Sequence, residues 1–228
     1  MYKNYFKRLF DIVSSGIALI ALLPIFAYLA YLVKTRLGSP VLFTQVRPGK
    51  DNKLFKMYKF RSMTDERDED GNLLPDDVRL TPFGKRLRES SLDELPELIN
   101  IFKGDMSVVG PRPQLVRDMV FFSDEEMQRQ SVLPGLTGLA QINGRNNISW
   151  EDKFKYDLQY IKNISFLEDM RIIYRTVFKV ANQDDINTDG METAEDYGDW
   201  LLRKNLISED IYLQKSMQAI DMIKHFCD

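Results

Sequence analysis

A mainly helical α+β fold, with one small β-hairpin and an apolar amino-terminal helix pair, is predicted by three patterns in this 228-residue chain. An uncharged run extends from Ile12 to Val33 with a proline just past its middle. Two short segments of strand composition flank a turn-rich hexapeptide, and apolar residues recur at helical spacing over 95–102 and 150–180.

The uncharged run is 22 residues long. At about 1.5 Å per residue it matches a hydrocarbon core of roughly 30 Å. Pro24 removes one backbone hydrogen bond and clashes with the carbonyl a turn earlier, so a sharp bend is expected there. Lys3, Lys7 and Arg8 precede the run, and Lys34, Arg36, Arg47 and Lys50 follow it. Positive flanks stay on the cytoplasmic side, so both ends are expected to face it. A re-entrant helix-break-helix over residues 1–36, dipping into one leaflet, meets both conditions; a kinked spanning helix is the alternative. The length of the run and the lack of a small-x-small cleavage pattern argue against a signal peptide.

The hairpin strands are Pro40-Val41-Leu42-Phe43-Thr44-Gln45 and Leu54 to Phe60, with Arg47 to Asn52 turning between them. Alternation puts Lys59 and Arg61 on the face of Phe55 and Met57. There they meet a phosphate or form a solvated edge, and spacing alone does not decide. Asp65 to Asp77 reads as a charged loop or short exposed helix, and Gly84-Lys85-Arg86-Leu87-Arg88 as a cationic cluster.

A helix carrying Leu95, Leu98, Ile99 and Phe102 should end near Lys103-Gly104. At its start, Ser91 and Glu94 match a capping box, although Pro96 suits a helix beginning at Asp93 better. The adjacent carboxylates Asp93 and Glu94 therefore have both a capping and a chemical explanation. Arg112, held between Pro111 and Pro113, is either preorganised for an anion or a solvated loop residue. The glycine-rich stretch Pro134 to Asn146 lets backbone approach a ligand closely, but has neither Walker nor dinucleotide spacing. Over 150–180 the apolar residues read as packing; Asp157 and Asp169 are within reach of a site but default to surface carboxylates.

Composition narrows the chemistry. His225 and Cys227, the sole His and Cys, lie at the C-terminus, which argues against serine–histidine or cysteine–histidine nucleophiles, zinc, and any intrachain disulfide. What remains is Asp, Glu, Lys, Arg and a hard cation such as Mg2+, a set suited to phosphoryl transfer. Residues 1–61 carry eleven Lys and Arg against Asp11 and Asp51, a balance of +9, which points to lipid headgroups or phosphates. No nucleic-acid motif is present, and no nucleic-acid partner is expected. Residues 183–228 carry four basic against eleven acidic residues; they should begin flexibly and then form short helices near Trp200 and from Ile211 to Phe226.

Six motifs occur in order: Phe43 to Gly49, Lys56 to Met63, Ser91 to Pro96, Lys103 to Ser107, Gly110 to Pro113 and Pro134 to Gln141. Together they resemble the bacterial sugar transferases called monotopic phosphoglycosyl transferases, nearest the minimal PglC-like members, over roughly residues 1–182. The resemblance implies a re-entrant anchor at 1–36, a cytoplasmic catalytic domain at 37–182 and an additional acidic extension at 183–228. It implies transfer of a phospho-sugar from a UDP-sugar to polyprenyl (undecaprenyl) phosphate on the cytoplasmic face of the bacterial inner membrane, with release of UMP. Asp93 maps to the nucleophile that forms an aspartyl-phosphosugar, and Glu94 to its partner; both are expected to serve Mg2+. Lys59 is expected to act in catalysis, and Arg88, Arg112, Arg145, Arg61 and Gln141 in substrate binding. An N-acetylated amino sugar such as N,N'-diacetylbacillosamine is the expected cargo. Downstream glycosyltransferases and a second copy of the chain are the expected protein partners. A phosphohydrolase or a non-catalytic scaffold is the alternative reading. One departure is that Leu23 precedes Pro24 where PglC-like members carry Ser, so the bend rests on Pro24. Truncation near Gln183 should spare activity unless the later helices pack on the core.

Overall fold

A computed structural model describes residues 2–144, 148–182 and 195–227. It is mainly helical with two small sheets. Helices α1 (Lys7–Ala21) and α2 (Leu23–Leu37) meet at 64° around Leu22, with Pro24 in the first turn of α2. Among the described residues no single helix is long and apolar enough to cross a membrane, whereas this bent pair together reaches that length and hydropathy.

The inward stripe of α1 is polar: Lys7, Asp11 and Ser15 are buried at i, i+4 and i+8. Its outward face carries Leu9, Val13, Ile17 and Ile20. Lys7 and one oxygen of Asp11 are met by the body of the protein, whereas Ser15 donates to the Asp11 carbonyl of its own helix. Lys7 Nζ contacts Asp169 Oδ2 at 2.6 Å, and Asp11 Oδ1 accepts from Ser107 Oγ and the Val108 amide. The Arg8 guanidinium donates to the carbonyls of Ile101 and Phe102. Lys7 and Arg8, expected as cationic flanks of the apolar run, are engaged by carboxylate and backbone acceptors of the body.

Strands β1 (Leu42–Pro48) and β2 (Leu54–Phe60) pair antiparallel from Leu42↔Phe60 to Pro48↔Leu54. Arg47 and Pro48 lie in the strand rather than the turn, which shrinks to a tight 3-10 turn at Lys50–Asn52. Short helices α3 (Asp76–Arg79) and α4 (Pro82–Glu89) follow. Thr81 caps α4 by accepting from the Gly84 amide, with Pro82 in its first turn. Helix α5 (Glu97–Lys103) ends at Gly104 in the left-handed region, at the expected boundary. Leu29, Val33 and Leu37 of α2 pack with Phe60 and Leu87, while Phe55, Met57, Leu98, Ile101 and Met106 form a core beneath α1.

Strands β3 (Ser107–Val109) and β4 (Gly135–Thr137) pair in parallel, a contact the sequence does not signal. Between them lie α6 (Val116–Met119) and α7 (Asp124–Met127). A Cβ at Gly135 would collide with the Gly110 amide, so this glycine serves strand-to-backbone approach rather than the ligand approach expected of it. Helices α8 (Leu139–Ile142), α9 (Trp150–Lys162) and α10 (Phe166–Asn182) complete this side.

The carboxy-terminal segment packs on the body. Helices α11 (Tyr197–Arg203) and α12 (Glu209–Cys227) contribute Tyr197, Leu201 and Ala219 to a core with Val116, Phe121, Phe122, Trp150 and Phe154. The Tyr197 amide donates to Asp118 Oδ1, and Lys215 donates to the Val120 carbonyl. The segment expected to begin flexibly, 183–194, lies outside the described residues.

Candidate active site

Ser91 has φ +56°, a left-handed conformation that costs a non-glycine residue energy and turns the chain out of α4. A 3-10 turn, Leu92–Glu94, follows, and α5 begins only at Glu97. Ser91 makes no side-chain cap, so the capping-box reading is overturned. The carboxylate that would have closed that box turns elsewhere. Glu94 Oε1 accepts from Lys59 Nζ and from Arg112 Nη2, each at 2.7 Å.

Lys59 reaches this point because β2 alternation faces it inward with Phe55 and Met57. Arg112 arrives from the Gly110-Pro111-Arg112-Pro113 turn after β3. Its backbone is held there by Arg129, whose Nη2 donates to the Arg112 carbonyl at 2.8 Å. Arg129 is itself fixed by Asp157 at 2.6 Å and lies against the rings of both Phe122 and Phe154. Asp157 is thus a buried positioning group, and Asp169, bonded to Tyr2, Lys7 and Tyr160, is buried too. Neither is the surface carboxylate expected from sequence, because each has an internal cation.

The acids differ in state. Asp93 is 8% exposed and makes no hydrogen bond or ion pair among the described residues. Burial, with the adjacent Glu94 charge adding, pushes its carboxyl up to about 6 against the pull of Lys59, Arg88 and Arg112. Burial would raise Glu94 as well, but Arg112 and Lys59 together overcome it and hold this carboxyl well below the usual range. Two neighbouring carboxylates are therefore driven apart, one locked as an anion and the other poised to titrate. Arg112 is held protonated above its ordinary value by Glu94, and its side chain keeps 40% exposure, so a ligand can reach it.

A third acid, Glu97, was not singled out from sequence. It is 2% exposed and lies 3.3 Å from Lys59 Nζ. Burial raises its carboxyl to about 7 despite Lys59. Its position one helical turn beyond Asp93 and Glu94 is the signal that could have found it.

The remaining expected residues divide. Arg88 lies close enough to lower the Asp93 carboxyl, and its Nε donates to Ser62 Oγ. Arg61 falls beyond the end of β2 and pairs with Asp65 at 2.7 Å, so it does not join the acid cluster. Gln141 donates to the Leu136 carbonyl at 3.3 Å instead of contacting the acids. Arg145 lies outside the described residues.

Among the described residues no group of three or more metal-ligating side chains converges. Asp93 and the second oxygen of Glu94 are nevertheless uncommitted. One or two carboxylates completed by water and substrate phosphates is an ordinary magnesium arrangement, so the donor set fits Mg2+.

Residues 2–183 match the family model of the bacterial sugar transferases. The chain belongs to the bacterial sugar transferase family. It is 49% identical over 189 residues to the uncharacterized sugar transferase EpsL of Bacillus subtilis, covering 83% of this chain and 94% of that one. It is 45% identical over 184 residues to a UDP-glucose:undecaprenyl-phosphate glucose-1-phosphate transferase of Klebsiella pneumoniae. It is 37% identical over 198 residues to an undecaprenyl-phosphate galactose phosphotransferase of Salmonella typhimurium. These two matches take in 76% and 79% of this chain but only 40% and 41% of those longer proteins. Helices α11 and α12 lie beyond the stretch matched by the family.

Proposed function

We propose that this transferase moves a sugar 1-phosphate from a UDP-sugar to undecaprenyl or a similar polyprenyl phosphate. The carrying observation is the pair of cations, Lys59 and Arg112, gripping one oxygen of Glu94 beside the unpartnered carboxylate of Asp93. An anionic nucleophile and an anionic substrate repel one another, so such a reaction needs fixed cations at its centre.

In the first step an Asp93 oxygen attacks the β-phosphorus and forms an acyl phosphate. The bond from that phosphorus to the bridging oxygen breaks, and UMP leaves with the electron pair. In the second step an oxygen of the polyprenyl phosphate attacks the same phosphorus, and the Asp93 carboxylate departs. Lys59, Arg88 and Arg112 stabilise the transferred charge in both steps. Asp93 and Glu94 would hold Mg2+, which would supply further neutralisation of the diphosphate.

The bent α1–α2 pair serves as a re-entrant anchor in one leaflet, with the site on the cytoplasmic face. Support comes from both its ends: Lys7 and Arg8 are tied to α10 and α5, and Leu37 packs under β2 and α4, so both ends meet one body. The panel of candidate cargoes is an N-acetylated amino sugar such as N,N'-diacetylbacillosamine, and the hexoses glucose and galactose that the relatives' names carry.

The test is incubation with β-phosphate-labelled UDP-sugars from that panel. Label should remain on the protein without acceptor, be removed by hydroxylamine, and pass to added undecaprenyl phosphate; Asp93→Asn should abolish labelling and turnover. Active enzyme that never carries label and shows intersecting initial-rate lines would refute the nucleophile. Free sugar phosphate released without acceptor would indicate hydrolysis.

A further inference from the structure

The Lys59 ammonium has three donors, and two point to carboxylates from consecutive turns: Glu94 at 2.7 Å and Glu97 at 3.3 Å. Only Glu94 is shared with Arg112. Glu94 Oε1 therefore occupies the position between two cations where an incoming phosphate oxygen gains most. An anion that takes this position removes Glu94 from both cations at once. Both backbones stay fixed, Arg112 by Arg129 and Lys59 by the pairing of β2 with β1, but the Lys59 ammonium sits on a flexible four-carbon chain. Among the described residues, the one carboxylate still paired with it is Glu97.

Glu97 is well placed for that task. It sits in the first turn of α5, whose Asn100 accepts from the Tyr58 amide and donates to the Lys56 carbonyl, so α5 is tied directly to the strand carrying Lys59. At 2% exposure Glu97 is shielded from ligand. We infer that Glu97 is a positioning residue that tethers Lys59 while a substrate phosphate oxygen replaces Glu94 between Lys59 and Arg112. The inference rests on the phosphoryl-transfer reading above and adds to it a residue that acts only through Lys59.

A double-mutant cycle tests it, because a residue acting only through Lys59 must lose its effect when Lys59 is gone. UMP release is measured against UDP-sugar concentration for wild type, Glu97→Gln, Lys59→Met and the double variant. Because a displaced catalytic cation costs rate more than ground-state binding, Glu97→Gln should lower kcat about tenfold and leave the UDP-sugar KM within about twofold. In the Lys59→Met background the same change should alter kcat by less than about twofold. Glu97→Asp keeps the charge at shorter reach and should fall between wild type and Glu97→Gln; it also serves if Glu97→Gln fails to fold. Equal losses in both backgrounds, or wild-type kcat in Glu97→Gln, would overturn the inference while an active wild type preserved the transferase reading. A folded wild type that released UMP from no UDP-sugar would overturn both.

Discussion

Removing Asp157 should expose how much the site depends on a residue pair that never touches substrate. Asp157→Ala strands the Arg129 guanidinium, which is 2% exposed and lies against Phe122 and Phe154. Breaking a buried ion pair from one side costs about 3–5 kcal/mol, because the surviving charge has no solvent. Asp157 Oδ1 already lacks a partner, and Arg129 keeps its bond to the Arg112 carbonyl, so the lower end, about 3 kcal/mol, applies. For a chain of this size that is a fall of roughly 6–12 °C in Tm, read by thermal unfolding in lipid nanodiscs. Replacing both partners, Arg129→Met with Asp157→Leu, removes the orphan charge. It should return stability to about 1 kcal/mol below wild type, the residual loss being the donor to the Arg112 carbonyl. That same lost donor should lower kcat/KM for the UDP-sugar about tenfold even though the double variant is folded. A single variant within about 1 kcal/mol of wild type, or a double variant as unstable as the sum of the singles, would refute this account.

The rate of UMP release should fall about tenfold per pH unit below an inflection near 6, because protonated Asp93 cannot attack. Between the ordinary carboxylate range and about 6 the folded chain holds this proton longer than the unfolded one. Stability from Asp93 therefore falls as pH rises through that window, and Asp93→Asn should raise Tm at pH 7 more than at pH 4. With Pro24→Ala the missing backbone donor returns. In inverted vesicles tags at both ends of the wild type should be open to protease, and in the variant the N-terminal tag alone should become partly protected as some molecules span; a protected N-terminal tag in the wild type would refute the re-entrant topology. Leu201→Ala should cost about 2–5 kcal/mol, and truncation after Gln183 should expose Trp150, Phe154 and Phe121 and leave the protein insoluble. Soluble, active truncated enzyme would show the extension to be dispensable.

The hairpin and the bend were legible because each depends on a local rule, strand alternation or proline geometry, whereas Lys59, Glu94 and Arg112 each kept a second explanation by spacing and only the family resemblance drew them to one site. The misread residues depend on partners far along the chain. Lys7 reads as a membrane flank from its neighbours alone, and nothing local signals its pairing with Asp169, 162 positions later. Arg61 follows the alternation of Lys59, but the strand ends one residue earlier and releases it to Asp65. Ser91 and Glu94 have the spacing of a cap, and a single left-handed residue defeats it. Glu97 resembles an ordinary first-turn acid, and only the depth of β2 beneath α5 gives it a cation.

Helix α1 is built inside out relative to a helix of a water-soluble protein. Its interior stripe is charged and hydroxylated, and its exterior is aliphatic. Turning it over would bury Leu9, Val13, Ile17 and Ile20 but strand Lys7 and Asp11, so neither orientation suits water on all sides. The native arrangement becomes economical only when an amphiphile covers the outer face. Bilayer or detergent then behaves as a ligand that binds the folded chain more tightly than the unfolded one. On the proposed re-entrant reading, unfolding free energy should therefore depend on the concentration and chain length of the surrounding amphiphile, which would make a bilayer a component of the fold.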